Sequence, residues 1–367
     1  MSFLKKCVVG VAAMLLIGTG MSVAGTDLNE VAAFLVFPGV VAFDNGSNTV
    51  ETFVTITNAS DSDVEVHMAY IDGEEGPGEC FECNFDIYLT GNDTETLLVS
   101  RDLLSRRTDI LTLDFQVLMT CPTVYGFMTA AAQDPDTHQT ITSNVLFGEE
   151  VVVDYTNGAA VSVPAVSFQG KNGGDGDRYY AFDDSEYGKM PKVVAADFLA
   201  PNDSTQQLPF FRGYLTLFTL GFDRQFPPLV DCSVTGYDAR EFPFSRSFLF
   251  GCWTTISLED VHPEFAYPNL GQLAFDTHGW LKLNCRVDHD NNGSFDAIGG
   301  VHGAITQIAG PGASLSRLPN GNYVGAGCDD GPDCGGDWIA WSRLLYQSVT
   351  TGDAVTLHLE NPGGGLD

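Results

Sequence analysis

The chain has 367 residues, of which 44% are hydrophobic, including 25 Phe and 12 Tyr. That is enough apolar side chain for packed cores and excludes a disordered polymer. It carries 48 acidic against 17 basic residues, a net charge of −31, which excludes nucleic acid and anionic lipid as partners because both are held by Lys and Arg.

Residues 1–24 have the layout of a secretory signal peptide. Lys5 and Lys6 precede an apolar run from Val8 to Ile17, and the small residues Gly18, Thr19, Gly20, Ser22 and Ala24 follow, with cleavage expected after Ser22-Val23-Ala24. A retained anchor is the competing reading, but the Gly, Thr and Ser between Val8 and Gly25 make a poor span. Cys7 lies before the apolar core, so it does not suit lipid attachment, and no later run is long enough to insert in a membrane after cleavage. The remainder holds 15 basic and 48 acidic residues, a net −33, and Asp outnumbers Glu 33 to 15. Asp favours turns and calcium loops, so the acids read mainly as the solvated loops of a β-protein.

Period-two alternation runs through this remainder. In Val50–Thr57, Val50, Val54 and Ile56 share one face, and in Val64–Tyr70, Val64, Val66, Met68 and Tyr70 do so. The polar turn Asn58–Asp63 joins them. Further strands are expected at Ala33–Phe43, Asn84–Leu89, Ile110–Leu118, Tyr125–Ala132, Val151–Tyr155 and Ala160–Phe168. Beyond the Gly- and Asp-rich segment 170–190, read as a linker, they are expected at Val193–Leu199, Tyr214–Phe222, Phe248–Ser257, Leu281–Asp288, Ile305–Ala309 and Val355–Glu360. One helix is expected at Trp338–Tyr346. The fold class is therefore all-β, an antiparallel β-sandwich architecture with two disulfide-braced domains, 25–169 and 191–367, and little helix.

Leu35-Val36-Phe37-Pro38, the strand ending in Thr55-Ile56-Thr57-Asn58, and His67-Met68-Ala69-Tyr70-Ile71-Asp72 together resemble a group of uncharacterised exported bacterial proteins with immunoglobulin-like sandwiches. The resemblance covers the first third of the exported part. It implies export and a β-fold, and it carries over no functional residue.

Eight cysteines remain beyond the leader: Cys80, Cys83, Cys121, Cys232, Cys252, Cys285, Cys328 and Cys334. An even number in an exported chain reads as disulfides. Three fall before residue 170 and five after, so complete pairing requires a bond between the halves. The local expectation is Cys328–Cys334. Cys80-Phe81-Glu82-Cys83 invites a redox or zinc reading, but its Gly- and Pro-rich flank offers no helix N-terminus, and structural disulfides are the better expectation.

The sharpest chemical motif is Asp288-His289-Asp290-Asn291-Asn292-Gly293-Ser294-Phe295-Asp296. Asp288, Asp290 and Asn292 fit positions 1, 3 and 5 of a calcium loop, Gly293 the sharp turn, Ser294 the backbone carbonyl ligand and Asp296 position 9. Position 12 is Gly299, so the bidentate acid of an EF-hand is missing and a distant acid would have to complete the shell. The competing reading is an Asx-rich turn. Asp175, Asp177, Asp183, Asp184 and Glu186 form a weaker acidic group, as do Asp329, Asp330, Asp333 and Asp337. The histidines are scattered, and no nucleophile elbow or phosphate loop is present. Trp253, Trp280, Trp338 and Trp341 could line a sugar platform, although core positions suit tryptophan better.

These features point to an exported, non-enzymatic structural or adhesive module, calcium-stabilised, whose partner is a surface protein or polysaccharide. The alternative is an extracellular glycan-binding protein or polymer hydrolase, resting on the acids, the tryptophans and export.

Overall fold

The alternating segments pair across long sequence separations, and most of the described residues are drawn into sheets. The computed structural model describes residues 26–171 except 29, 48, 74–79 and 156–158, then 180, 182 and 184–188, then 193–197, 211–220, 229–237, 243–257, 260, 279–288, 300–309, 313–317, 323–328, 339–348 and 355–360. The first half supplies β1 (Thr26–Leu28), β2 (Phe34–Val41), β3 (Phe43–Asp44), β4 (Thr49–Asn58), β5 (Val64–Asp72), β6 (Glu82–Leu89), β7 (Thr94–Asp102), β8 (Arg107–Thr112), β9 (Val117–Cys121), β10 (Tyr125–Gln133), β11 (Leu146–Asp154), β12 (Ala159–Pro164) and β13 (Val166–Phe168). The second half supplies β14 (Val193–Asp197), β15 (Phe211–Leu220), β16 (Leu229–Tyr237), β17 (Pro243–Phe250), β18 (Trp253–Ser257), β19 (Gly279–Asp288), β20 (Gly300–Ala309), β21 (Ala313–Arg317), β22 (Tyr323–Cys328), β23 (Ile339–Ser348) and β24 (Val355–Glu360).

In the first half a six-stranded sheet, β1-β13-β2-β10-β5-β6, faces a seven-stranded one, β12-β11-β4-β7-β8-β9 with β3 beside β4. Val54, Ile56, Leu97 and Val99 of the seven-stranded sheet meet Leu35, Val66, Met68 and Met128 of the six-stranded sheet in one core. The expected inward faces of β4 and β5 are the buried ones. Asn58 at the end of β4 is itself buried and ties the following turn down. Its amide donates to the carbonyls of Ser62 and Thr90, and its side-chain oxygen accepts from the Ser60 N–H.

The opposite face of the six-stranded sheet is also covered. Phe34, Val36, Ile71 and Phe127 pack in a second core with Leu215, Leu217, Phe218, Val230 and Val287 from the second half. Strands β2 and β10 accordingly read as near-continuous apolar runs, as strands buried on two faces must. Trp253 is the centre of this junction. It is buried, its ring lies 6.0 Å from that of Tyr125, and its indole N–H donates to the Pro38 carbonyl at 2.6 Å. Gly73 makes room for the ring, since a Cβ there would sit 2.4 Å from it. Part of the segment read as a linker is packed too: Tyr180, Phe182 and Tyr187 stack around Phe34, and Tyr187 bridges to Gly170.

The second half holds a five-stranded sheet, β14-β24-β19-β16-β17, a four-stranded sheet, β18-β15-β20-β23, and the pair β21-β22. All pairings are antiparallel except β14 with β24.

The structure corrects several expectations. Residues 339–348 form strand β23, paired along its full length with β20, and not a helix. A short apolar run does not separate the two by period alone, and the ten-residue pairing decides it. The expected strand Ile110–Leu118 breaks at a turn in which the Phe115 and Gln116 N–H groups return to Thr112. Ala160–Phe168 divides at Pro164, which has no N–H to give, so β12 stays in the seven-stranded sheet and β13 crosses to the six-stranded one. Phe248–Ser257 likewise divides at Gly251 and Cys252 into β17 and β18, in different sheets.

Among the described residues three disulfides brace the fold. Cys232–Cys285 links neighbours in β16 and β19, Cys83–Cys121 joins β6 to β9 at the open ends of the two facing sheets, and Cys80–Cys252 joins the halves. The two cysteines of the Cys-x-x-Cys pair thus have different partners, as structural cysteines do. The pairing expected for Cys328 and Cys334 lies outside the described residues. Disulfides of this kind suit an oxidising, extracellular or periplasmic setting. No helix among the described residues is long and apolar enough to cross a membrane.

Candidate binding surface on the seven-stranded sheet

The outer face of the seven-stranded sheet carries an apolar row that crosses five strands. Register places Val151 beside Phe53, Phe53 beside Leu98, Leu98 beside Leu111, and Leu111 beside Val117. One pleat further along, beside Val153, a polar row runs Glu51, Ser100, Asp109 and Thr120. Phe53, Leu98 and Leu111 of the first row and Glu51, Ser100 and Asp109 of the second floor a groove of about 520 Å³, walled by Leu113 and Phe115 from the β8–β9 turn, by Asp102 and by Tyr155.

The polar row is internally ordered. The Ser100 hydroxyl donates to Glu51, and the Thr120 hydroxyl donates to Asp109 at 2.7 Å. Partial burial, and then the charge of Glu51, push the Tyr155 phenol up to about 12, so it remains a neutral donor at any physiological pH. Asp102 sits below the usual carboxylate range because it accepts from the backbone and hydroxyl of Ser105 and the Leu104 N–H. Arg101 brings the one cation to the groove, with Nη1 buried and lacking a partner among the described residues.

Two features set this face apart from a solvated surface. Among the described residues ten large hydrophobic side chains are exposed, and Leu103, Leu104, Leu113, Phe115, Val117 and Tyr155 all belong to this face or its rim. In addition Phe115 is 72% exposed at a φ of 64°, a left-handed conformation that bulky residues avoid. An aromatic held out in a strained turn is a pointer to a role in contact.

Of the residues predicted for calcium, Asp288 is the last residue of β19, fully buried and paired with Leu229. Asp290, Asn292, Ser294 and Asp296 lie outside the described residues. So do Asp175, Asp177 and Asp183 of the first acidic group and all four of the second, while Asp184 and Glu186 accompany the packed Tyr187. Among the described residues no group of three or more His, Cys, Asp and Glu is placed to hold a metal. Trp253 is core and lines no sugar platform. The side chains of Trp280, Trp338 and Trp341 lie outside the described residues.

The groove was not anticipated from the sequence. Its signal is phase: Phe53 is apolar but out of step with Val50, Val54 and Ile56, so an aromatic had to stand on the outer face. The other walls come from the β8–β9 turn, where a continuous strand was expected.

No protein-family model, no curated protein and no solved structure matches this chain.

Proposed function

We propose that the chain is an exported, non-enzymatic structural or adhesive module of the cell envelope or extracellular space, and that the outer face of its seven-stranded sheet is the working surface. The carrying observation is the gathering of exposed apolar side chains, with a strained aromatic among them, over a rigid and disulfide-braced sheet. A secretory leader at residues 1–24, an immunoglobulin-like relationship of the first third of the exported part, a division near 170–190, and a surface protein or polysaccharide as partner all belong to this reading. In it calcium is structural and is held by Asp288, Asp290, Asn292, Ser294 and Asp296.

The second reading is glycan binding or polymer hydrolysis, favoured by Phe115 and Tyr155 standing beside Glu51 and Asp109 in one groove. A panel of esters, peptides and glycosides separates the two. The module reading expects no turnover, and hydrolysis abolished by Glu51→Gln or Asp109→Asn would replace it with the hydrolase. Calcium has its own test, thermal unfolding in millimolar calcium against EDTA. Saturation at about a hundred times the dissociation constant adds roughly 2.7 kcal/mol, and the gain should vanish in Asp290→Ala.

A further inference from the structure

We infer that the face carrying the groove is a self-association surface, and that its occupant is a second copy of this chain related by a two-fold axis. The inference rests on the reading of this face as the working surface, and it names the partner.

The first ground is charge. Two exported copies, each at −33 without Lys5 and Lys6 of the leader, repel strongly unless they meet where that charge is absent. The groove and its rim are such a place. Glu51, Asp102, Asp109, Asp114 and Glu149 are opposed by Arg101, Arg106 and Arg107, leaving the face near −2. The β7–β8 hairpin concentrates three of the chain's 17 basic residues in seven positions.

The second ground is arrangement. That hairpin tip is basic and apolar. Leu104 is 96% exposed, Leu103 stands beside it, and Arg106 is exposed at a φ of 56°. The groove next to it is acidic and apolar. A two-fold axis lays the tip of each copy on the groove of the other, so one patch is complementary to itself. A basic protein would be drawn to acidic surface anywhere on the molecule and has no use for Arg106 and Arg107. A polyanion is repelled by the molecule as a whole.

The third ground is area. Six strands of five to ten residues, about 4.8 Å apart, make a face roughly 24 Å by 25 Å. That approaches the ~800 Å² that each partner contributes to a standard interface. Because charges more than about 8 Å apart are screened at physiological salt, the long-range repulsion fades there while the close contacts remain.

The test is sedimentation velocity on the full chain, purified after export, from about 1 to 200 μM in roughly 10 mM and 150 mM salt. The expected result is a reversible dimer at the higher salt that weakens at the lower. Leu104→Asp and Arg106→Glu, both at exposed positions, should each raise its dissociation constant at least about tenfold with the melting temperature unchanged. A monomer throughout this range overturns the inference, as does a dimer indifferent to both substitutions. A monomer retained on an insoluble glycan, and released by Phe115→Ala, overturns the second copy as occupant yet leaves the face as a binding surface. Turnover in the substrate panel would instead sink the module reading.

Discussion

The two facing sheets of the first half are built from similar strands and have opposite fates. The six-stranded sheet is buried on both faces over its central strands, against its partner sheet on one side and against Leu215, Phe218 and Trp253 on the other. The seven-stranded sheet is buried on one face, and its other face carries the groove. Burial patterns record the difference: β10 is buried at eight successive positions, whereas β4 alternates without interruption. A sheet covered twice can only be scaffold, and a sheet covered once has a face left for function.

The widest separation between the two should appear on truncation of an aromatic or aliphatic side chain. Phe127 in β10 is fully buried and lies 5.3 Å, centroid to centroid, from Phe218 across the junction. Phe127→Ala should cost about 3–5 kcal/mol in denaturant unfolding, from lost transfer energy and a cavity. Leu113→Ala on the open face should stay within about 0.5 kcal/mol. Similar costs at the two positions would erase the distinction drawn between the sheets.

The disulfides sharpen the same contrast. Cys80–Cys252 spans 172 residues and ties the six-stranded sheet to the second half, whereas Cys83–Cys121 spans 38 and ties the two sheets to each other. Replacing either pair by serines should cost about 2–4 kcal/mol. The longer loop should cost about 1 kcal/mol more than the shorter, because closure entropy grows with the logarithm of loop length. Denaturant midpoints of the two double variants give the order. A larger loss at the shorter loop would mean that strain or residual structure, and not chain entropy, governs these cross-links.

Glu150 tests the interior between the sheets. It stands on the buried face of β11, and among the described residues both its oxygens share a single donor, the Gly39 N–H, at 3.0 and 3.3 Å. Burial pushes its carboxyl up to about 8 against an ordinary 4.5, with the Gly39 bond opposing weakly. The folded state therefore holds a proton that the unfolded state releases between these values. Glu150 permits full stability below pH 4.5 and erodes it as pH rises towards 8, by up to about 1.4 kcal/mol per unit. Between pH 5 and 7 the loss should be roughly 2 kcal/mol. Glu150→Gln, neutral throughout, should flatten this slope, and an unchanged slope would move the titration to another group.

Much of the scaffold was legible because one physical quantity, the phase of apolar residues, determines it. Val50, Val54 and Ile56 had to share a side, and β5 followed the same rule. Legibility failed where non-local pairing overrode local pattern. Nothing in Ile339–Ser348 announces its register with β20, and no spacing distinguishes Cys252 from the other possible partners of Cys80. It failed again at turns. Thr112–Gln116 reads as strand by composition, yet its hydroxyl and carboxylate hydrogen bonds close a tight turn that turns Phe115 outward. The groove depends on that turn, so the site was hidden for the same reason as the strand break. Phe53 was the one residue that disclosed it, by standing out of phase.

The smallest expected effect lies at the tip of that turn. Phe115 adopts a φ of 64° with its ring in solvent, so it gains little from burial while its Cβ crowds the backbone. The left-handed conformation costs a residue with a Cβ about 1–2 kcal/mol, and glycine escapes it at an entropic cost of roughly 0.5–1 kcal/mol. Phe115→Gly should therefore stabilise the fold by about 0.5–1 kcal/mol, read from the denaturant midpoint, while weakening self-association. A gain in stability together with a loss of contact is what a residue kept for an interface would give. Destabilisation by Phe115→Gly would instead make the ring part of the packing of the open face, and the strained turn would then be structural.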